Sequence, residues 1–280
     1  YMGPAWYQRE IEIPAAWKGK RIFLYFERTH WLSSVYVGKE EVSKIDYISI
    51  PHNHELTQWL HPGKKELITF CIDNRYQYDT HKWDHAHSEF TQINWNGVLG
   101  EIKLVAVDPV YVDDMQVYPD IKNKSIKVKM TVRNCTEHTA SGKISFHVTG
   151  KDYRLQKEVP VTVTDSITYI EEEMFLGKDI HLWNEFHPNL YTLDCKLTSS
   201  VEGQSYAHEK STTFGMREVE AGEDHIILNG EPIHLRGTVE NAVFPKTGYA
   251  PVDDASWERV LRILKEYGMN HMRFHSWCPP

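Results

Sequence analysis

The densest run of side chains able to do chemistry is Tyr78–Glu89, where His81, His85 and His87 are interleaved with Asp79, Trp83, Asp84 and Glu89. His85 and His87 are two residues apart, the spacing that puts both imidazoles on one face of a strand and could seat a metal ion. No fixed ligand-spacing motif accompanies them, so no metal site is assigned. A solvated loop, or a loop carrying Trp83 and His85 to a binding site, stays open. A second group lies in two short runs, each following an apolar segment: Arg236, Glu240 and Asn241, then Arg273, His275 and Trp277. Guanidinium and imidazole groups donate to hydroxyls, a carboxylate accepts from them, and an indole offers a flat apolar face. The cysteines Cys71, Cys135, Cys195 and Cys278 are widely spaced, with no Cys-x-x-Cys pair. That is neither a zinc pattern nor a disulfide framework, and buried thiols are expected.

The elements that must position these residues are bounded by composition. With 280 residues, 41% hydrophobic and 25% charged, the chain can bury a sizeable core. At roughly 100–200 residues per domain, two domains or two and a fraction are expected. The formal charge of -8, with interspersed signs, argues against nucleic acid or an anionic membrane surface as partner. No apolar run approaches the roughly 18 residues of a membrane span. Tyr1 opens directly into a strand-like phrase and Pro280 follows just beyond another, so neither end reads as a natural domain edge.

From Tyr1 to about Asp108, short β-rich runs alternate with turn residues. They include Trp6–Ile13, which alternates in period two and stops at Pro14, then Arg21–Phe26, Ser34–Val37, Glu66–Ile72 and Gly100–Val107. This spacing indicates a sandwich or jelly roll. A second series runs from Pro109 to about Arg217. Ile126, Val128, Met130 and Val132 fall on one face of Ser125–Val132, and Ile144–Val148 and Tyr191–Leu197 behave alike. Val159–Val163 carries Pro160 and belongs at a sheet edge. Its length of about 110 residues suits an immunoglobulin-like sandwich, without the Cys-Trp-Cys pattern of antibody domains. After Gly222 the pattern changes. Ile226–Leu228, an Asn229-Gly230 turn and Ile233–Arg236 read as a small hairpin followed by a buried strand. A helix follows, capped by Asp253 or Asp254, with Trp257, Val260, Leu261, Leu264 and Tyr267 at helical spacing and Gly268 at its C-terminal cap. Asn270–His275 reads as a second strand. Strand, helix, strand is the unit of a parallel sheet or barrel.

These phrases together resemble glycoside hydrolase family 2, the family of β-galactosidases, β-glucuronidases and β-mannosidases. Trp6-Tyr7-Gln8-Arg9 up to Ile13-Pro14 resembles the family's first sugar-binding-domain strand. Trp95–Ile102 resembles the loop and strand that end that domain. Pro188–Leu193, with Phe214-Gly215-Met216-Arg217-Glu218, resembles the end of its immunoglobulin-like domain. Leu228–Gly237 and Tyr267–Arg273 resemble its first two barrel strands. All stand in the family's order across nearly the whole chain.

The resemblance implies a mainly β chain in three parts: a jelly-roll sugar-binding domain over 1–108, an immunoglobulin-like β-sandwich over 109–220, and over 221–280 the first βαβ unit of a truncated (β/α)8 TIM barrel. It implies a retaining mechanism on terminal β-linked sugars, β-galactosidase-like, with one glutamate as acid/base and another as nucleophile. A barrel needs roughly 250 residues, so both glutamates are expected beyond residue 280 and the chain by itself is expected to be inactive. Asn184-Glu185 matches the family's acid/base dipeptide but falls before the barrel, and no catalytic role is carried over to Glu185. Barrel sites form at the C-terminal strand ends, so Arg236, Glu240, Asn241, Arg273, His275 and Trp277 become substrate-binding candidates, with Trp83 and His85 reaching in from the first domain. Where better-known members carry Arg-Gly-Val-Asn, this chain has Arg236-Gly237-Thr238-Val239-Glu240-Asn241. Its His275 also stands one position early in the Arg-x-Ser-His-Tyr-Pro phrase. The resemblance implies a carbohydrate substrate, a secreted or periplasmic setting and homo-oligomers, and no cofactor. A non-catalytic carbohydrate-binding module and a β-sandwich adhesion protein are the alternatives. The strand–helix–strand ending weighs against the last.

Overall fold

The computed structural model describes residues 1–48, 50–75, 95–241, 244–275 and 279. The chain is mainly β and divides into two compact units, Tyr1–Ala106 with Leu235–Pro280, and Val107–His234.

The first unit opens with β1 (Pro4–Glu12), β2 (Arg21–His30), β3 (Leu32–Val37), β4 (Glu40–Asp46), β5 (His52–Glu55), β6 (Lys65–Asp73) and β7 (Gly97–Val107). They form two sheets, ordered β1-β6-β3-β4 and β5-β2-β7. Alternation along β2 sends Ile22, Leu24 and Phe26 inward, where they join Val35, Ile68 and Ile72 of the other sheet in one buried cluster. Each such side chain contributes roughly 1.5–3 kcal/mol by leaving water. β1 is an edge strand, which leaves Trp6 60% and Tyr7 41% exposed although both are apolar.

A polar chain also runs through this core. The Tyr47 carbonyl meets His52 Nε2 at 2.9 Å, and His52 Nδ1 lies 2.7 Å from Ser33 Oγ. Ser33 Oγ lies 2.8 Å from His54 Nε2, and His54 Nδ1 lies 2.8 Å from Ser43 Oγ. Ser33, His52 and His54 are fully buried. A carbonyl can only accept, so His52 holds its proton on Nε2 and its Nδ1 accepts from Ser33. Ser33 then accepts from His54 Nε2–H, and His54 Nδ1 accepts from Ser43. One proton arrangement satisfies every member, with both rings neutral.

The second unit contains β8 (Val110–Asp120), β9 (Ser125–Asn134), β10 (Ala140–Thr149), β11 (Arg154–Val163), β12 (Ile167–Phe175), β13 (Tyr191–Val201) and β14 (Gln204–Phe214). Its sheets are β11-β10-β13-β14 and β12-β9-β8. Ile126, Val128, Met130 and Val132 all point inward, meeting Ile144, Phe146, Val148, Leu193 and Leu197 in one cluster. Pro160 lies on β11, an edge strand, the part of a sheet where a residue without an N–H is tolerated. Cys71 and Cys195 are buried thiols, whereas Cys135 is exposed just past the end of β9, its backbone N–H donating to the Pro109 carbonyl at 2.9 Å. Cys278 lies outside the described residues.

β15 (Val219–Ala221), β16 (Ile226–Leu228) and β17 (Glu231–Ile233) make a small antiparallel sheet. Its Asn229-Gly230 turn has φ of 54° and 85°, the pair of positive values that a tight hairpin demands. The expected buried strand over Ile233–Arg236 does not form. Ile233 is taken up in pairing with Ile226, and the next strand, β18 (Gly237–Glu240), starts only at Gly237. α1 (Asp254–Glu266) and β19 (His271–Phe274) follow, with β19 parallel to β18. Asp253 caps the helix by accepting from Ser256 N at 2.8 Å. At the other end Gly268 N reaches the Lys265 carbonyl and Met269 N the Leu264 carbonyl, a double C-terminal cap that needs the positive φ of Gly268. Asp253→Ala is expected to lower amide-exchange protection in the first turns of α1 roughly fivefold. Unchanged protection there would show that packing alone holds the turn. No helix among the described residues is long and apolar enough to cross a membrane.

Candidate functional site

The two parallel strands set the geometry of the C-terminal candidates. Gly237 pairs with His271, Val239 with Arg273 and Glu240 with Phe274, and the ladder is prolonged by His275 N donating to the Glu240 carbonyl at 2.8 Å. The backbone thus brings Glu240 and His275 side by side at the C-terminal ends of the pair, with Asn241 next in the chain. Side chains alternate across a sheet. Glu240 and Phe274 therefore share the face on which the Trp257 ring of α1 meets Phe274 edge-on at 5.8 Å. Val239 and Arg273 take the opposite face. Arg273 is thus a strand residue whose side chain leaves the sheet away from Glu240.

Arg236 lies elsewhere. Because the strand starts at Gly237, this residue precedes β18 instead of following a strand. Its Nε donates to the Gly268 carbonyl at 2.7 Å, and its backbone N donates to Asn270 Oδ1 at 2.9 Å. At 3.3 Å per residue it stands ~13 Å along the strand from Glu240. The cause is the hairpin upstream, which holds the chain until Ile233.

Trp83, His85 and Trp277 lie outside the described residues. The described residues on either side of the segment that carries Trp83 and His85 are well anchored. Asn74 accepts from Gly3 N and donates to the carbonyls of Tyr1 and Trp95. Asn96 Nδ2 donates to the Gly3 carbonyl, and His30 Nδ1 lies 2.8 Å from the Trp95 carbonyl. Asp73, beside Asn74, binds the Arg75 guanidinium, which holds its carboxyl below the usual carboxylate range. Two residues before His30, Arg28 donates to the Pro279 carbonyl at 3.2 Å, so the end of β2 touches both Trp95 and Pro279. Sequence reasoning missed Arg28, His30 and Asn74. Nothing local marks them, since their partners lie up to 251 positions away.

Asn184-Glu185 has a different explanation. Asn184 Oδ1 accepts from the backbone of Phe186 and His187, and so closes the turn in which Glu185 sits. Among the described residues no three His, Cys, Asp or Glu side chains converge as metal ligands.

Comparison with known proteins gives this geometry a family. A β-galactosidase of Thermoanaerobacter pseudethanolicus is 24% identical over 276 residues, covering 98% of this chain and 36% of its own. A putative β-glucuronidase of Formosa agariphila is 26% identical over 290 residues, covering 99% and 26%. The chain therefore spans about a quarter to a little over a third of the length of these relatives. Among solved structures, a putative β-galactosidase from Bacteroides fragilis aligns over 100% of this chain and 42% of its own, with TM-score 0.83 at 18% identity. A family 2 glycosyl hydrolase from Bacteroides cellulosilyticus aligns over 98% and 37%, with TM-score 0.79 at 20% identity. The family model described as Glycosyl hydrolases family 2 matches residues 110–217, within the second unit. Over residues 110–217 the chain matches the model of glycosyl hydrolases family 2, and its sequence relatives and fold neighbours extend along nearly its whole length.

Proposed function

We propose that this chain is the front part of a retaining β-glycosidase that removes terminal β-linked sugars, most similar in substrate to β-galactosidases. In this reading residues 1–108 form a jelly-roll sugar-binding domain, 109–220 an immunoglobulin-like sandwich, and 221–280 the start of a (β/α)8 barrel. The observation that carries it is the parallel pair β18–β19 with α1 between its strands, ending in adjacent Glu240 and His275. Polar side chains at the C-terminal ends of parallel barrel strands are where such enzymes hold substrate. Glu240, Asn241, Arg273 and His275 are given that role in this proposal, Arg273 from the sheet face opposite Glu240, with Trp277, Trp83 and His85 completing it. Arg236 serves from the strand's other end by bracing the turn after α1. The four-plus-three strand sheets of Val110–Phe214 support the sandwich reading. The names of the relatives support a β-linked sugar.

The acid/base and nucleophile glutamates, which a retaining mechanism needs about 5–5.5 Å apart, belong to sequence beyond residue 280. Secretion or a periplasmic setting, and homo-oligomers, are part of the same proposal. Hydrolysis of a panel of nitrophenyl glycosides by this chain and by the full gene product, side by side, is the test. Turnover by the longer protein alone is expected, fastest on the β-galactoside. Turnover by the 280-residue chain would sink the reading.

A second reading, a carbohydrate-binding module, is favoured by Trp6, which is 60% exposed with its ring 5.6 Å from Tyr36. An exposed indole beside a half-buried phenol ring suits the C–H face of a pyranose. Loss of oligosaccharide binding in Trp6→Ala would support it, and unchanged binding would remove it.

A further inference from the structure

The second unit holds a cleft of about 680 Å³ that the glycosidase reading does not use. It lies between the β10–β11 hairpin tip and the connection from β12 to β13, and its size falls within the range of small-molecule sites. Its amide and phenol groups are spent on the fold. Asn184 closes its turn, Asn189 Nδ2 donates to the Leu182 carbonyl at 2.9 Å, Tyr153 OH to the Leu176 carbonyl, and Tyr191 OH accepts from His181 N at 2.9 Å. These bonds make a rigid floor.

The walls are different. Lys151, Asp152, Asp179, His181 and His187 line the cleft and are exposed, and none of their side chains makes a hydrogen bond or ion pair among the described residues. Fixed backbone beneath five unengaged donors and acceptors is what a polar ligand site requires. Two carboxylates against one ammonium disfavour an anion such as a uronate or phosphate. No three of these groups converge on a metal ion. Carboxylates and imidazoles suit vicinal hydroxyls, and the exposed Pro188 and Leu190 add apolar contact.

We infer that this cleft is a second carbohydrate site, binding a neutral oligosaccharide through Asp152, Asp179, His181 and His187, apart from the strand-end site of the first unit. Only the choice of ligand class rests on the glycosidase reading. The site would hold a chain without cleaving it.

The test is titration of the 280-residue chain with cellotetraose and β-1,4-galactotetraose, followed by amide chemical shifts, with tetragalacturonate as the anionic comparison. Saturable binding with Kd of about 1 mM is expected for at least one neutral tetrasaccharide. Shifts should centre on residues 151–153 and 179–191. The Asp179→Ala/His181→Ala double variant should weaken binding about tenfold, and Asp152→Asn, on the separate hairpin, should weaken it in the same direction. Trp6→Ala should leave these shifts unchanged. Three results overturn the inference: no saturation by either neutral sugar up to about 10 mM, binding that survives both cleft variants, or tighter binding of tetragalacturonate. Because the readout is binding by this chain, failure here leaves the hydrolysis result of the longer protein untouched, and the reverse holds too.

Discussion

Replacing Gly142 by alanine is expected to destabilise the second unit by about 3 kcal/mol or more, because the added methyl group meets backbone that cannot move aside. Gly142 lies on β10 between two ladders, paired with Val161 on one side and Ser199 on the other. A Cβ there would stand 1.9 Å from the Thr198 carbonyl oxygen and 2.7 Å from Ser199 Cα. Relief would require β13 to separate from β10, which breaks the sheet that buries Ile144, Phe146, Leu193 and Leu197. The thermal midpoint of this unit should fall on the order of 10–15 °C. Intensities of amide resonances from Val107–His234 against temperature report that transition separately from the first unit. Ser141→Ala, one position away and exposed, should change the midpoint little. A Gly142→Ala midpoint indistinguishable from that of Ser141→Ala would mean the two strands are not packed as described.

The second large effect is a loss of stability in acid centred on the His52–Ser33–His54 chain. Burial lowers the pKa of both imidazoles, and that of His54 falls to about 3. In the unfolded chain a histidine takes up its proton near pH 6.5. Between pH 6.5 and 3 the unfolded state therefore binds more protons than the folded state, so stability is fully present above that window and is lost as pH falls through it. His54 alone should remove about 3 kcal/mol from the first unit between pH 7 and pH 4, and His52 adds in the same direction. Carboxylates such as Asp73, held low by Arg75, lose their contribution only at more acid pH. The measurement is the urea midpoint at several pH values, followed by tryptophan fluorescence, since eight of the nine tryptophans lie in the first unit. His54→Gln should start lower at pH 7 and fall less steeply. Equal slopes for the two proteins would place the acid sensitivity elsewhere.

Much of this architecture is readable in the sequence, where the signal is local. The alternation of Ile126, Val128, Met130 and Val132 follows from the two-residue repeat of a strand, and these residues are buried accordingly. Asp253 and Gly268 mark the ends of α1 because capping involves only residues three or four apart. Asn229-Gly230 makes its hairpin for the same reason: the turn conformation is a property of two residues. Other strands are silent to that reading. β12 carries Glu171, Glu172 and Glu173, and β5 is His52-Asn53-His54-Glu55, runs that become strands by pairing with distant partners.

By itself, the sequence determined the two series of strands, the change to strand–helix–strand after Gly222, and the family resemblance. Each of these is written in periodicity or in short phrases that survive as chain order. Only the tertiary structure decided where the first parallel strand begins, because β16 competes for Ile233 and delays it to Gly237. It alone decided that Trp6 and Tyr7 are both exposed, since alternation buries one face only where a strand has neighbours to cover it. It also turned His52 and His54 into core residues. A histidine's burial depends on whether partners arrive for both ring nitrogens, here Ser33 and Ser43 for His54 and Ser33 with the Tyr47 carbonyl for His52, and no local pattern encodes that meeting.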